Sequence, residues 1–173
     1  MPDSPALALS PSFERARTLS GVLRWFFLIN FWVTAVWLAF VPLLLIWPEA
    51  VQYNIDGSLV SVAGQPMPDR VYAVAAVMVR TAPALMLLYH AIRVFRSFAK
   101  GEVFAAQPIA HIRAAGFWTI VWAFAPSAAQ LILEHHVRIK FEPPLLAFGI
   151  ATFIAAYVMG EAQRIADENA SIL

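Results

Sequence analysis

The sequence contains no cysteine, and only 13% of its 173 residues are charged, with twelve Lys and Arg against eleven Asp and Glu. Without thiols there is no disulfide, no thiolate metal site and no cysteine nucleophile. A net charge of +1 leaves no electrostatic footprint for a polyanion, so no direct nucleic-acid partner is expected. The apolar stretches lack paired carboxylates for acid and base work, and neither a Gly-x-Ser-x-Gly turn nor a phosphate-cradling glycine loop occurs. The expectation is a non-enzymatic protein with no cofactor.

What fills the chain instead is hydrocarbon. Hydrophobic residues make up 61% of it and the mean hydropathy is +0.69, whereas an ordinary soluble domain is about 25% charged. Four long apolar stretches, at about 25–47, 71–92, 114–133 and 143–160, are separated by short charged connections. At roughly 1.5 Å per residue each crosses about 30 Å of hydrocarbon, where only helices satisfy their own amides. This predicts an all-α membrane protein. Its four transmembrane helices form a bundle, as one domain over residues 1–173 with a cytoplasmic segment at 1–20, and its first partner is the lipid bilayer.

The first stretch is preceded by Arg15, Arg17 and Arg24, as a secretory signal would be. Its 23 residues exceed the roughly 7 to 15 of a cleavable core, and Pro48-Glu49-Ala50 is a poor cleavage site, so a retained helix is expected. Orientation follows from the cations. Arg15, Arg17, Arg24, Arg93, Arg96, Lys100, Arg113 and Arg164 fall on one side, and Arg70, Arg138 and Lys140 on the other. The positive-inside rule then places both termini in the cytoplasm, and Trp25 and Trp47 bracket the first span as interfacial aromatics do.

Between the first two spans, the alternating runs Val51 to Ile55 and Ser58 to Val62 flank Asp56-Gly57. That pattern predicts a short extracytoplasmic β-hairpin around a type I′ turn, resting on the helix ends or on Trp47. The second connection reads as a helix extension through Phe98, a break at Gly101 with positive φ, an apolar contact from Phe104, and a restart near Gln107-Pro108. Pro42, Pro83 and Pro126 fall inside spans and free the carbonyls of Leu38, Val79 and Trp122, which predicts kinks. In the last span Ala147, Ala151 and Ala155 recur every four residues near Gly149 and Gly160, a stripe for close packing within the chain or in a homo-oligomer; Gly116 offers the same on the third span.

Arg80 is the most informative single residue. It lies roughly 14 Å along the helix from Val71 and 20 Å from Arg93, near the midplane, where a charge costs on the order of 2.5 to 3.5 kcal/mol. Asn30, Thr34, Ser127, Gln130 and Thr152 are polar groups at comparable depth, whereas Glu49, Glu134 and Glu142 are expected at the outer surface. Arg80 therefore either clamps kinked helices through carbonyls and amides, or holds an anion or small polar ligand together with Asn30 and Gln130. Of the histidines, His90 and His111 fall on adjoining helices near the cytoplasmic interface and His135-His136 in the outer loop. With no HExxH and no i, i+4 histidine pair, no metal site is expected.

The stretch Phe95-Arg96-Ser97-Phe98-Ala99-Lys100-Gly101-Glu102-Val103-Phe104, continuing through Ile109 to Trp118, and the tail Glu161 to Asn169 resemble motifs of the YoaS-like proteins, a bacterial four-span membrane family of unknown function. The resemblance covers about residues 20–172. It implies a multi-pass protein of the bacterial inner membrane and, through the family's association with small helix-turn-helix proteins, a cytosolic regulator as partner. Arg93, Arg96, Lys100 and Arg113 form the basic surface expected to meet such a partner or anionic lipid heads, unless the acidic residues Glu161, Asp167 and Glu168 of the tail occupy it. The leading expectation is a membrane partner of a regulator; the alternative is a transporter or channel subunit with Arg80 in a bundle cavity.

Overall fold

A computed structural model describes residues 11–47, 52–55, 58–61, 65–102, 105–134 and 139–171. It contains helices α1 (Pro11–Phe40), α2 (Met67–Ala99), α3 (Ala106–Glu134) and α4 (Pro143–Ala170), all long and apolar enough to cross a membrane. Each runs beyond its apolar stretch on at least one side. Hydropathy marks only the part that faces hydrocarbon, while the helical hydrogen-bond ladder continues through the flanking polar turns.

Prolines set most of the boundaries. Pro68 stands in the first turn of α2, Pro108 in that of α3, and Pro143 and Pro144 open α4, where a missing amide proton is not needed. Pro42 acts differently from the expected mid-span kink. The α-helix stops at Phe40 and tightens into a 3₁₀ turn over Val41–Leu45 whose first turn holds the proline. Val41 is buried there against Val74 and Val77 of α2, with Leu45 alongside. Pro83 and Pro126 lie inside α2 and α3. At the other end of α2, Gly101 has φ 86°, the Gly101 amide donates to the Phe98 carbonyl and the Glu102 amide to the Ser97 carbonyl. This is a Schellman cap, as the glycine predicts; Phe104 lies outside the described residues.

Between the 3₁₀ turn and α2, the backbone of β1 (Gln52–Ile55) pairs antiparallel with that of β2 (Ser58–Ser61), Gln52 opposite Ser61 and Ile55 opposite Ser58. Asp56 and Gly57, and so the expected type I′ turn, lie outside the described residues, as do His135, His136 and Arg138.

The helices pack in chain order, α1 on α2, α2 on α3 and α3 on α4, without a comparable contact between α1 and α4, so the bundle is open where its two terminal helices would meet. α3 and α4 come close enough at two glycines that a side chain would not fit. A Cβ on Gly116 would lie 2.9 Å from the Phe153 backbone nitrogen and 3.0 Å from the Gly149 carbonyl oxygen, and one on Gly149 would lie 2.8 Å from the Ile120 side chain. Gly116 therefore does what its position in the third span suggests. The α4 alanine stripe does not form this seam within the chain. Gly149 and Ala156 are the buried residues of α4, whereas Ala147, Ala151 and Ala155 are exposed. The seam is set by where Gly116 presents bare backbone, which rotates α4 so that its alanine stripe turns outward.

Candidate functional site

Between α1 and α2 lies a cavity of about 520 Å³. Asn30, Thr34 and Trp37 enter it from α1, Arg80 and Thr81 from α2, and Trp122 from α3, with Val33, Leu87 and Leu88 supplying apolar wall. The two helices run antiparallel, and apolar contacts hold them together on either side. Phe27 stacks on Phe95 at 5.3 Å between centroids, and Val41 is buried against Val74 and Val77. The Asn30 side-chain amide donates to the Phe26 carbonyl at 2.8 Å, within its own helix. The half-buried Arg80 guanidinium makes no hydrogen bond or ion pair with any described residue.

Arg80 also borders a second cavity, of about 380 Å³, lined by Pro126 of α3, by Ile139 to Glu142 and by Pro143. The described part of the α3–α4 connection, residues 139–142, lies along α3. The Lys140 amide donates to Ser127 Oγ at 2.8 Å, Ser127 Oγ donates in turn to the Lys140 carbonyl, and the Glu142 amide donates to the Ala123 carbonyl at 3.0 Å. Ala123 is eleven residues before the end of α3, about 16 Å down the helix. Pro126 explains the docking point. A proline removes a donor and pushes aside the carbonyls of the preceding turn, and the incoming amide takes one of them. Non-helical backbone in a membrane protein is tolerated where it lines a cavity, and residues 139–142 border the second Arg80 cavity. Glu142 borders the same cavity as Arg80.

Of the residues expected around Arg80, Asn30 and Thr34 share its groove. Gln130 is buried on α3 and lines neither Arg80 cavity, and Ser127 serves the connection. Thr81, Trp37 and Trp122 complete the site. Trp122 could have been found, since it is the residue whose carbonyl Pro126 frees.

At the opposite end of α2 a smaller cavity, of about 170 Å³, is lined by Arg93, Arg96, Ser97 and Lys100 of α2 and by Gln107 and His111 of α3. Arg93 also lies over the Tyr89 ring, 5.3 Å from its centroid. His111 is held by His90, their Nδ1 atoms 3.1 Å apart, so that one ring donates and the other accepts. Arg113, expected on the same basic surface, points elsewhere, its guanidinium 3.9 Å from where a Cβ on Gly160 would stand. The acidic tail does not neutralise this end. Arg164 bonds Glu161 at 3.2 Å and Glu168 at 3.0 Å within α4 itself. No group of three or more potential metal ligands occurs among the described residues.

No family model, curated protein or solved structure matches this chain.

Proposed function

We propose that this protein is a multi-pass membrane component that binds an anionic amphiphile in the Arg80 groove, as a carrier or transport subunit. One observation carries the reading: a guanidinium in mid-helix, bordered by two cavities, with none of its five N–H donors used by a described residue. A clamp would spend those donors on carbonyls. A ligand site keeps them for a carboxylate or phosphate, the geometry guanidinium recognises best. The groove is mixed in character, with hydroxyls and a carboxamide beside Trp37, Leu87, Leu88 and Trp122. That lining suits a charged head attached to an apolar body. Non-helical backbone beside a buried charge is also the arrangement at which membrane transporters hold their cargo.

The orientation we propose has both termini and the Arg93 end in the cytoplasm and the β1–β2 segment outside, on the distribution of Lys and Arg. The bacterial inner membrane is proposed on the resemblance of the Phe95 to Trp118 stretch. Partnership with a cytosolic regulator rests on that resemblance too, and on the cations converging at the end of α2; the Arg80 groove is the better supported of the two sites.

The test is binding of a spin-labelled long-chain fatty acid to purified protein in neutral detergent. Saturable immobilisation is expected for the native chain, weakened by Arg80→Leu and partly kept by Arg80→Lys. Equal immobilisation in all three would overturn the reading.

A further inference from the structure

We infer that the cavity between the end of α2 and the start of α3 is a phosphate-binding site, in which Arg96, Lys100 and Arg93 supply charge and Ser97, Gln107 and His111 supply neutral donors. The inference uses none of the residues of the Arg80 groove.

Three cations converge on one small concave space. On α2 they are spaced i, i+3 and i+7, so a single stripe carries them, with Ser97 between. Gln107 and His111 are i and i+4 on α3, and the Gly101 cap turns the chain so that the two stripes face each other. No carboxylate lines the cavity. Arg96 and Lys100 make no ion pair with a described residue, and the nearby acidic tail is already engaged by Arg164. Like charges held this close repel. The C-terminal dipole of α2 offsets some of that, being equivalent to about half a negative charge, which is small against three cations. The space is therefore suited to an anion that no described residue provides.

The shape narrows the anion to one class. At about 170 Å³ the cavity encloses a compact group rather than the broad face of an acidic protein. Guanidinium groups pair with tetrahedral oxyanions in bidentate fashion, and hydroxyl and carboxamide donors add the remaining bonds. His111 fits the same role. In the tautomer where His90 donates between the rings, His111 accepts at Nδ1 and carries its one proton on Nε2, which it can donate to the anion. The site lies at helix ends, at the level of lipid phosphates, so the group can belong to an anionic lipid head or to a soluble phosphate.

The experiment uses the whole protein in nanodiscs of phosphatidylcholine with or without phosphatidic acid, with lipid binding read by native mass spectrometry after gentle release. Phosphatidic acid should remain bound to the native chain. In Arg96→Gln/Lys100→Gln, both exposed positions whose loss leaves the helix cap intact, binding should fall about 25-fold, at about fivefold for each cation near a membrane surface. Arg17→Gln, which removes an exposed cation outside the cavity, should leave binding unchanged. Inorganic phosphate added to protein in phosphatidylcholine alone distinguishes the sources: if it binds and the double variant abolishes this, the physiological ligand is a free phosphate compound; if only phosphatidic acid binds, it is a lipid head. Equal retention by native and double variant would overturn the inference. So would failure of both probes together with charge-dependent capture of a soluble acidic protein, which would make this end a protein dock.

Discussion

Replacing Gly116 by Ala adds one methyl group where α3 meets the backbone of α4. The new Cβ would lie 2.9 Å from the Phe153 nitrogen and 3.0 Å from the Gly149 oxygen. Unstrained contacts of carbon lie near 3.5 Å or beyond, so α4 must retreat by roughly half an ångström, and such a gap forfeits a quarter to a half of each van der Waals contact it opens. Both clashing atoms are backbone, so no rotamer change relieves them. Overpacking of this kind costs about 1 to 3 kcal/mol. The same change raises helix propensity by up to about 1 kcal/mol, which would blur a single measurement. Gly21 supplies the control, since a Cβ there meets nothing within 4 Å. The difference between Gly116→Ala and Gly21→Ala isolates the packing cost and should be about 1 to 3 kcal/mol. Equilibrium unfolding in mixed micelles, titrated with an ionic detergent and followed by tryptophan fluorescence, reads it. Equal stability of the two variants would refute the close crossing of α3 and α4.

Reporters fused after Leu173 and inserted near Ser97 should both read as cytoplasmic and one near Gly57 as exterior, and an exterior C-terminus would reverse the orientation. Ser127→Ala removes the hydroxyl that binds both the amide and the carbonyl of Lys140, at about 1 to 3 kcal/mol for the partly buried groups left behind. Because the chain has no cysteine, a single Phe141→Cys reports on that segment alone; its reaction with a water-soluble maleimide should quicken when Ser127→Ala is added, and an unchanged rate would mean that the connection is held elsewhere. Arg80→Leu should resist unfolding better than the native chain, by up to about 2.5 to 3.5 kcal/mol, since it removes a mid-span charge that makes no bond to a described residue. Marked destabilisation would instead reveal a clamp.

The four helices were legible because the membrane imposes one rule on every residue in a span, and composition alone reports it. The Gly101 cap was legible for a local reason: a glycine after a basic amphipathic turn has one conformation to offer there. The path of the α3–α4 connection was not, because it depends on pairing Lys140 and Glu142 with Ser127 and Ala123, over separations of 13 and 19 residues that no periodicity encodes. Pro126 was read as a kink, yet its freed turn is what the connection docks on. For the same reason the cavity that Glu142 shares with Arg80 was not legible. The α3–α4 seam was not legible in Ala147, Ala151 and Ala155, because small residues permit close packing without choosing which of several stripes a neighbour will use. Gly116 made that choice from the other helix. The basic cavity was partly legible: Arg93, Arg96 and Lys100 share a face by spacing alone, but Arg113 shares their charge and not their direction, seven residues into a different helix from the Gly101 turn that faces the others together.

The Arg80 groove owes its volume to the order of residues along two antiparallel helices. From one end of the contact to the other, α1 presents Phe27, Asn30, Thr34, Trp37 and Val41, and α2 answers with Phe95, Leu88, Ala84, Arg80 and Val77. Apolar pairs close both ends. Between them, short polar side chains and an alanine stand where large apolar residues would have interdigitated. Lipid gives helices no hydrophobic reason to associate, so a contact persists only where side chains fit, and here they fit at the ends and leave space in the middle. Among the described residues α1 makes its extensive helix contact with α2, and Trp32 and Val33 are at least 60% exposed, so no other described helix fills that space from outside. A helix fixed at two points around a gap at its charged centre is what a binding groove requires, and a single well-packed seam from Phe27 to Val41 would have been the simpler way to hold α1 in place.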